Sequence, residues 1–80
     1  METLTNNFLK YNIKTRLYEL EESKRLRIKR KVFERCSKMS NSTFSRYINA
    51  RDNDTIDIPG EVLKVFSDLL HVEISDLYNY

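Results

Sequence analysis

Apolar residues recur along the chain three and four apart, the spacing that puts them on one face of a helix. Leu9, Ile13, Leu17 and Leu20 hold this register, with Phe8 and Tyr11 beside them, and predict a first helix over residues 6–23. Glu19, Glu21 and Glu22 fall on its outer side, and Lys24 and Arg25 near its C-terminus, where cations suit the helix dipole. Leu26-Arg27-Ile28 reads as a turn into a second helix, in which Ile28, Val32 and Cys36 repeat every fourth residue with Phe33 alongside. Ser37–Ser40 is a tight turn into a third helix. A polar loop rich in Asn and Asp follows from Ala50 to Asp57. Pro59 then starts a fourth helix, where its missing N–H does no harm and Glu61 adds a favourable first-turn charge. Val62, Leu63, Val65, Phe66, Leu69 and Leu70 give this helix a broad apolar face. His71–Ile74 turns the chain into a last short helix around residues 75–78, with Leu77 inward. No strand-like alternation, repeat or low-complexity segment is visible. The pattern predicts an all-α fold, one domain of about five short helices with its core over residues 13–78 and a frayed end at residues 1–5.

The third helix carries the candidate chemistry. Ser40 is placed to cap it, its hydroxyl accepting from a first-turn N–H. Phe44 with Tyr47 or Ile48 shares one face that anchors the helix in the core. Asn41, Ser42, Ser45, Arg46 and Asn49 fall on the other face, which has no carboxylate. Short polar side chains with one Arg and two Asn match base edges, since Asn pairs bidentately with adenine and Arg with guanine in the major groove. A solvated amphipathic face is the plain alternative, and charge distribution bears on the choice.

Eighty residues with 40% apolar and 32% charged content make a globular chain with room for one small core. The net charge of +2 conceals an asymmetry. Residues 10–51 hold thirteen Lys/Arg against four Glu, and residues 52–80 hold one Lys against seven Asp/Glu. Within the basic part, residues 24–38 carry eight Lys/Arg with Glu34 as the lone acid. A solvated face alternates signs; a one-sided basic run beside a polar helix suits a phosphate backbone. It lacks the bulky apolar face that a membrane-surface helix needs. No apolar run approaches the roughly 20 residues of a membrane span, and no signal-peptide core follows Met1. A single Cys and a single His leave no internal disulfide and no structural zinc site. The expected setting is cytoplasmic, with no cofactor and no metal. No nucleophile–base pair, paired carboxylates or glycine-rich phosphate loop appears, so no enzyme is read. Cys36 and Met39 read as core and His71 as a turn residue.

Ser40-Asn41-Ser42-Thr43-Phe44-Ser45-Arg46-Tyr47-Ile48-Asn49 resembles the recognition helix of the Xre/Cro family, the lambda-repressor-like helix-turn-helix DNA-binding domains. The stretch from Pro59 to Leu77 resembles that family's fourth helix and its turn into the fifth, and Arg16-Leu17-Tyr18-Glu19-Leu20 its first helix. The likeness covers roughly residues 13–78. The family's usual turn glycines are replaced here by Ser37-Lys38, Ala50 and His71, which predicts left-handed backbone at Ala50 and His71.

The resemblance implies a regulator of transcription that binds double-stranded DNA, a small Cro-like repressor of phage or mobile-element type. Its third helix would enter the major groove and its second would cross the backbone. Asn41, Ser42, Ser45 and Arg46 would then contact bases, while Lys29, Arg30, Thr43, Asn49 and Arg51 contact phosphates. It also implies a homodimer with recognition helices about 34 Å apart. Leu4, Phe8, Tyr78 and Tyr80 are the candidate contact residues, and equally candidates to finish the monomer core. The alternative class is a protein-interaction module, antitoxin-like or an adaptor, whose basic helices bind an acidic protein. RNA is disfavoured because no aromatic platform for base stacking is evident.

Overall fold

The computed structural model describes residues 9–79 and is mostly helical, with no strand among them. Four α-helices, α1 (Ile13–Tyr18), α2 (Glu22–Arg35), α3 (Asn41–Ile48) and α4 (Gly60–Leu70), are followed by a 3-10 helix, Ile74–Leu77. No helix among the described residues is long and apolar enough to cross a membrane. The expected frayed end at residues 1–5, and the possible contact residues Leu4, Phe8 and Tyr80, lie outside the described residues.

Of the single long helix expected over residues 6–23, the described residues 9–21 form three pieces instead. Leu9, Tyr11 and Ile13 are all buried while Lys10 and Asn12 are only partly so, an alternation of period two. Backbone bonds across the chain hold this segment: Lys10 N–H donates to the Ala50 carbonyl and Asn12 N–H to that of Leu77, each at 2.8 Å. Single antiparallel bridges pair Leu9 with Arg51 and Tyr11 with Tyr78. Helix α1 therefore covers six residues and ends at Tyr18. Glu19, Leu20 and Glu21 make the turn that follows. The Arg25 guanidinium caps it by donating to the Leu20 carbonyl at 3.3 Å.

Helix α2 begins earlier than its apolar repeat suggests. Leu26-Arg27-Ile28, expected as a turn, lies inside it, and Lys24 and Arg25 occupy its first turns rather than the end of α1. Lys, Arg and Leu are good helix formers and no Gly or Pro interrupts them, so nothing local stops the helix there. Glu22 in the first turn offsets the cations at this positive dipole end.

The remaining elements follow the sequence closely. The Ser40 hydroxyl accepts from Thr43 N–H at 3.1 Å and caps α3. Phe44 is buried with its ring 5.8 Å from Phe33 and 5.9 Å from Phe66, so one side chain ties α3 to α2 and α4. Ile48 lies on the same buried face. Tyr11 and Phe66 are the largest side chains fully enclosed, and the Tyr11 hydroxyl accepts from buried Ile58 N–H at 3.1 Å. Cys36 and Met39 are partly buried against the core.

His71 ends α4 in the left-handed region (φ 61°), as its glycine-like position predicts. Ala50 does not share that conformation, because His71 is the one described non-glycine residue with positive φ. The exit from α3 is instead made by Asn49 and by almost wholly buried Ala50, whose carbonyl accepts from Lys10 N–H. Tyr78 rests its ring 5.1 Å from that of buried Tyr11 and is itself exposed at the surface.

Candidate nucleic-acid interface

With Phe44 and Ile48 turned inward, the helical register points Ser42 and Arg46 straight out from the core. Asn41 and Ser45 flank them on the side of α2, and Thr43 and Tyr47 on the side of α4. Asn41, Ser42, Ser45, Arg46 and Asn49 are all exposed. The face therefore offers two amides, two hydroxyls and one guanidinium on a helix anchored by Phe44 and Ile48.

The two flanks differ. On the α2 side, Asn41 and Ser45 share a groove of about 220 Å³ with Tyr18, Arg25, Leu26 and Lys29, above Phe44 and Ile48. Lys29 lies over the Phe44 ring, 5.5 Å from its centroid, which holds its ammonium beside Asn41. Arg30 joins Leu26, Lys29, Phe33 and Asn41 around an adjoining shallow hollow. No carboxylate lines either groove. This places Lys29 and Arg30 next to the exposed face of α3, with which the sequence pairs them.

The C-terminal end of the face is built differently from expectation. Asn49 is not an idle donor. Its Oδ1 accepts from Lys14 Nζ at 2.7 Å, and its Nδ2 donates to the Ser45 carbonyl and hydroxyl at 2.8 and 3.3 Å. Lys14, Asn49 and Arg51 line one cleft together with Tyr18 and Glu19. Arg51 uses its backbone N–H to bind Asp54 and leaves its side chain exposed. Thr43 is half-buried and tied into the Ser40 cap. It lines the cleft on the α4 side with Cys36, Tyr47 and Pro59, away from Lys29 and Arg30. The structure thus gathers Asn41, Ser42, Ser45, Arg46, Lys29 and Arg30 into one surface, continues it through Asn49 and Arg51, and sets Thr43 at its far edge.

Three residues of this surface escaped the sequence reading. Lys14 comes from α1, 35 positions before its partner, and no local pattern announces it. Arg25 stacks on Tyr18 with its guanidinium carbon 4.5 Å above the ring centroid, a contact that exists only because the chain turns at residues 19–21. Tyr18 itself is 61% exposed, an aromatic at the surface where none was expected, though Arg25 covers one of its faces. Leu26, 49% exposed, is the other large apolar side chain in that neighbourhood.

Neutralisation by ion pairs bypasses this surface. The pairs formed among the described residues are Lys10–Asp57, Arg35–Asp68 and Lys64–Asp68. Lys29, Arg30, Arg46 and Arg51 take part in none of them. Among the described residues no three His, Cys, Asp or Glu side chains gather as a metal site. Burial pushes the Cys36 thiol above its ordinary pKa, with Glu61 adding to the shift and Arg35 opposing it, so the thiol stays protonated and is a poor nucleophile. Compared with family models, with characterised proteins and with solved structures, the chain matches none.

Proposed function

We propose that this chain is a helix-turn-helix protein that binds double-stranded DNA in a sequence-dependent way and regulates transcription as a small Cro-like repressor. One observation carries the reading. The outward face of α3 is exposed, free of carboxylates and anchored through buried Phe44, and it adjoins Lys29 and Arg30 of α2, which form no ion pair with a described residue. Such a face meets the major groove as base edges require, with amide, hydroxyl and guanidinium groups that pair with adenine and guanine. Cations flanking it supply the sequence-independent grip on phosphates.

In this reading α3 is the recognition helix. Asn41, Ser42, Ser45 and Arg46 contact bases; Lys29, Arg30, Asn49 and Arg51 contact phosphates, with Lys14 joining them through Asn49. Thr43 serves the cap first and reaches only a phosphate at the edge. The protein binds as a homodimer, two α3 helices about 34 Å apart entering successive major grooves.

Selection of bound duplexes from a random pool tests the proposal. An enriched inverted repeat, bound by two chains per duplex in sedimentation, is the expected result. Absence of any enriched sequence would overturn base reading, and a one-to-one complex on a non-palindromic site would overturn the dimer.

A further inference from the structure

The basic run of α2 has two sides. At 3.6 residues per turn, Leu26, Lys29, Arg30 and Phe33 form one stripe, the one beside α3. Lys24, Arg27 and Lys31, at i, i+3 and i+7, form another roughly 140° around the axis. This second stripe does not face α3 at all. It walls a groove of about 410 Å³ between α2 and the C-terminal end of α4, whose floor is Leu20, Ile28, Leu69 and Leu70. The three cations are exposed and the four floor residues half-buried. His71 closes one end, and no carboxylate lines the groove. Glu34, the one acid on this stretch of α2, is not among its walls, and none of the three cations takes part in an ion pair with a described residue.

From this arrangement we infer that the α2–α4 groove docks an acidic amphipathic helix of a partner protein, independently of the α3 face. The floor decides against a nucleic acid. A phosphate backbone needs cations but gains nothing from four aliphatic side chains, whereas a helix ridge carrying leucine-like residues buries itself against them. The walls then select for charge. Cations spaced one helical turn apart over roughly 10 Å match carboxylates at i, i+3 or i+4, and i+7 of a facing helix. A membrane surface fits less well, because the apolar residues form the bottom of a groove instead of a protruding face. The protein thus carries two basic surfaces of different chemistry, a polar one on α3 and an apolar-floored one on α2–α4.

The test is a display selection of random 16-residue peptides on the whole chain, counter-selected against a Lys24→Glu/Arg27→Glu/Lys31→Glu variant shown by thermal melt to remain folded. Expected winners carry acids and large aliphatics at helical spacing. Their affinity should fall at least tenfold on the triple variant and stay unchanged on Arg46→Ala, which keeps this outcome separate from that of DNA binding. They should also shift the methyl resonances of Ile28, Leu69 and Leu70. The inference is overturned if no peptide is enriched, or if the winners are acidic without an apolar stripe. It also fails if a random DNA duplex or anionic vesicles of phosphatidylglycerol shift those methyls more than the peptides do. Dissociation of a dimer by the triple variant would assign the groove to a second copy and overturn it equally.

Discussion

The two long sides of α2 carry cations in nearly equal number, yet what lies beside them differs completely. On one side Lys29 and Arg30 border a helix whose exposed face is amide, hydroxyl and guanidinium, with Phe44 and Phe33 closing the seam beneath. On the other, Lys24, Arg27 and Lys31 border the aliphatic end of α4. Charge alone would assign both sides the same partner. Their neighbours separate them, because a phosphate-bearing ligand rewards polar groups next to a cation and an amphipathic peptide rewards apolar ones. The lesson is that a basic run has no single meaning until the helix that carries it has been placed.

The largest expected effect concerns what makes the α3 side exist. Phe44 touches both Phe33 and Phe66, so Phe44→Ala removes the packing that seats α3 on α2 and α4 together. It should cost about 3–5 kcal/mol, a large share of the stability of so small a domain. Thermal or denaturant melts measure this directly. A variant as stable as the parent would mean that α3 is not held by that ring and that the α3 side of the comparison has no fixed geometry.

How much of this was legible in the chain depends on which interactions are local. The cap at Ser40, the burial of Phe44 and Ile48, and the left-handed turn at His71 each follow from residues within a turn or two of one another. The break at Glu19–Glu21 does not, since it contains neither Gly nor Pro and is held by an Arg25 side chain from the next helix. The segment from Leu9 to Ile13 was ambiguous for a simple reason. Residues buried at positions 9, 11 and 13 satisfy a period of two as well as a stripe at i and i+4, and only distant partners, Ala50 and Leu77, decide between them. The apolar repeat of α2 begins only at Ile28, which hides the second basic stripe because Lys24 and Arg27 precede the repeat yet lie within the helix. Of the candidate interface, the α3 face could be read directly; the contributions of Lys14, Tyr18 and Arg25 needed the tertiary fold.

Next in size is the effect that would sharpen the α3 side into a reading surface. Arg46 points outward one helical turn beyond Ser42, so its guanidinium can meet a guanine edge bidentately. Arg46→Ala should cost about 1–3 kcal/mol on the preferred duplex and much less on random DNA. Titration of both duplexes at one salt concentration shows whether the loss is selective. An equal loss on both would make Arg46 a phosphate contact and leave base readout to Asn41, Ser42 and Ser45.

A smaller effect probes the entry to that helix. Ser40→Ala removes the acceptor for Thr43 N–H and should cost about 1 kcal/mol of stability. Ser40→Asp restores an acceptor and should recover most of that loss. Were Asp no better than Ala in a denaturant titration, the hydroxyl would owe its place to its neighbour Thr43 Oγ1 and not to capping.

The smallest predicted effect separates the two sides of α2 most cleanly, because it compares cations one position apart. Arg30 borders Asn41 on the α3 side, while Lys31 belongs to the opposite stripe with Lys24 and Arg27. If phosphates are gripped only beside α3, removing Arg30 deletes one phosphate contact and the counterion it releases. The slope of log K against log salt for Arg30→Ala should then flatten by about one, on specific and random duplexes alike. Lys31→Ala changes the net charge by the same amount, so any general effect of charge on association is matched between the two variants. Its slope should stay at the parental value, because a side chain on the far stripe displaces no condensed ion. Equal flattening by both variants would show that DNA wraps around both sides of α2. That result would merge the two surfaces into one and remove the ground for giving the aliphatic groove a partner of its own.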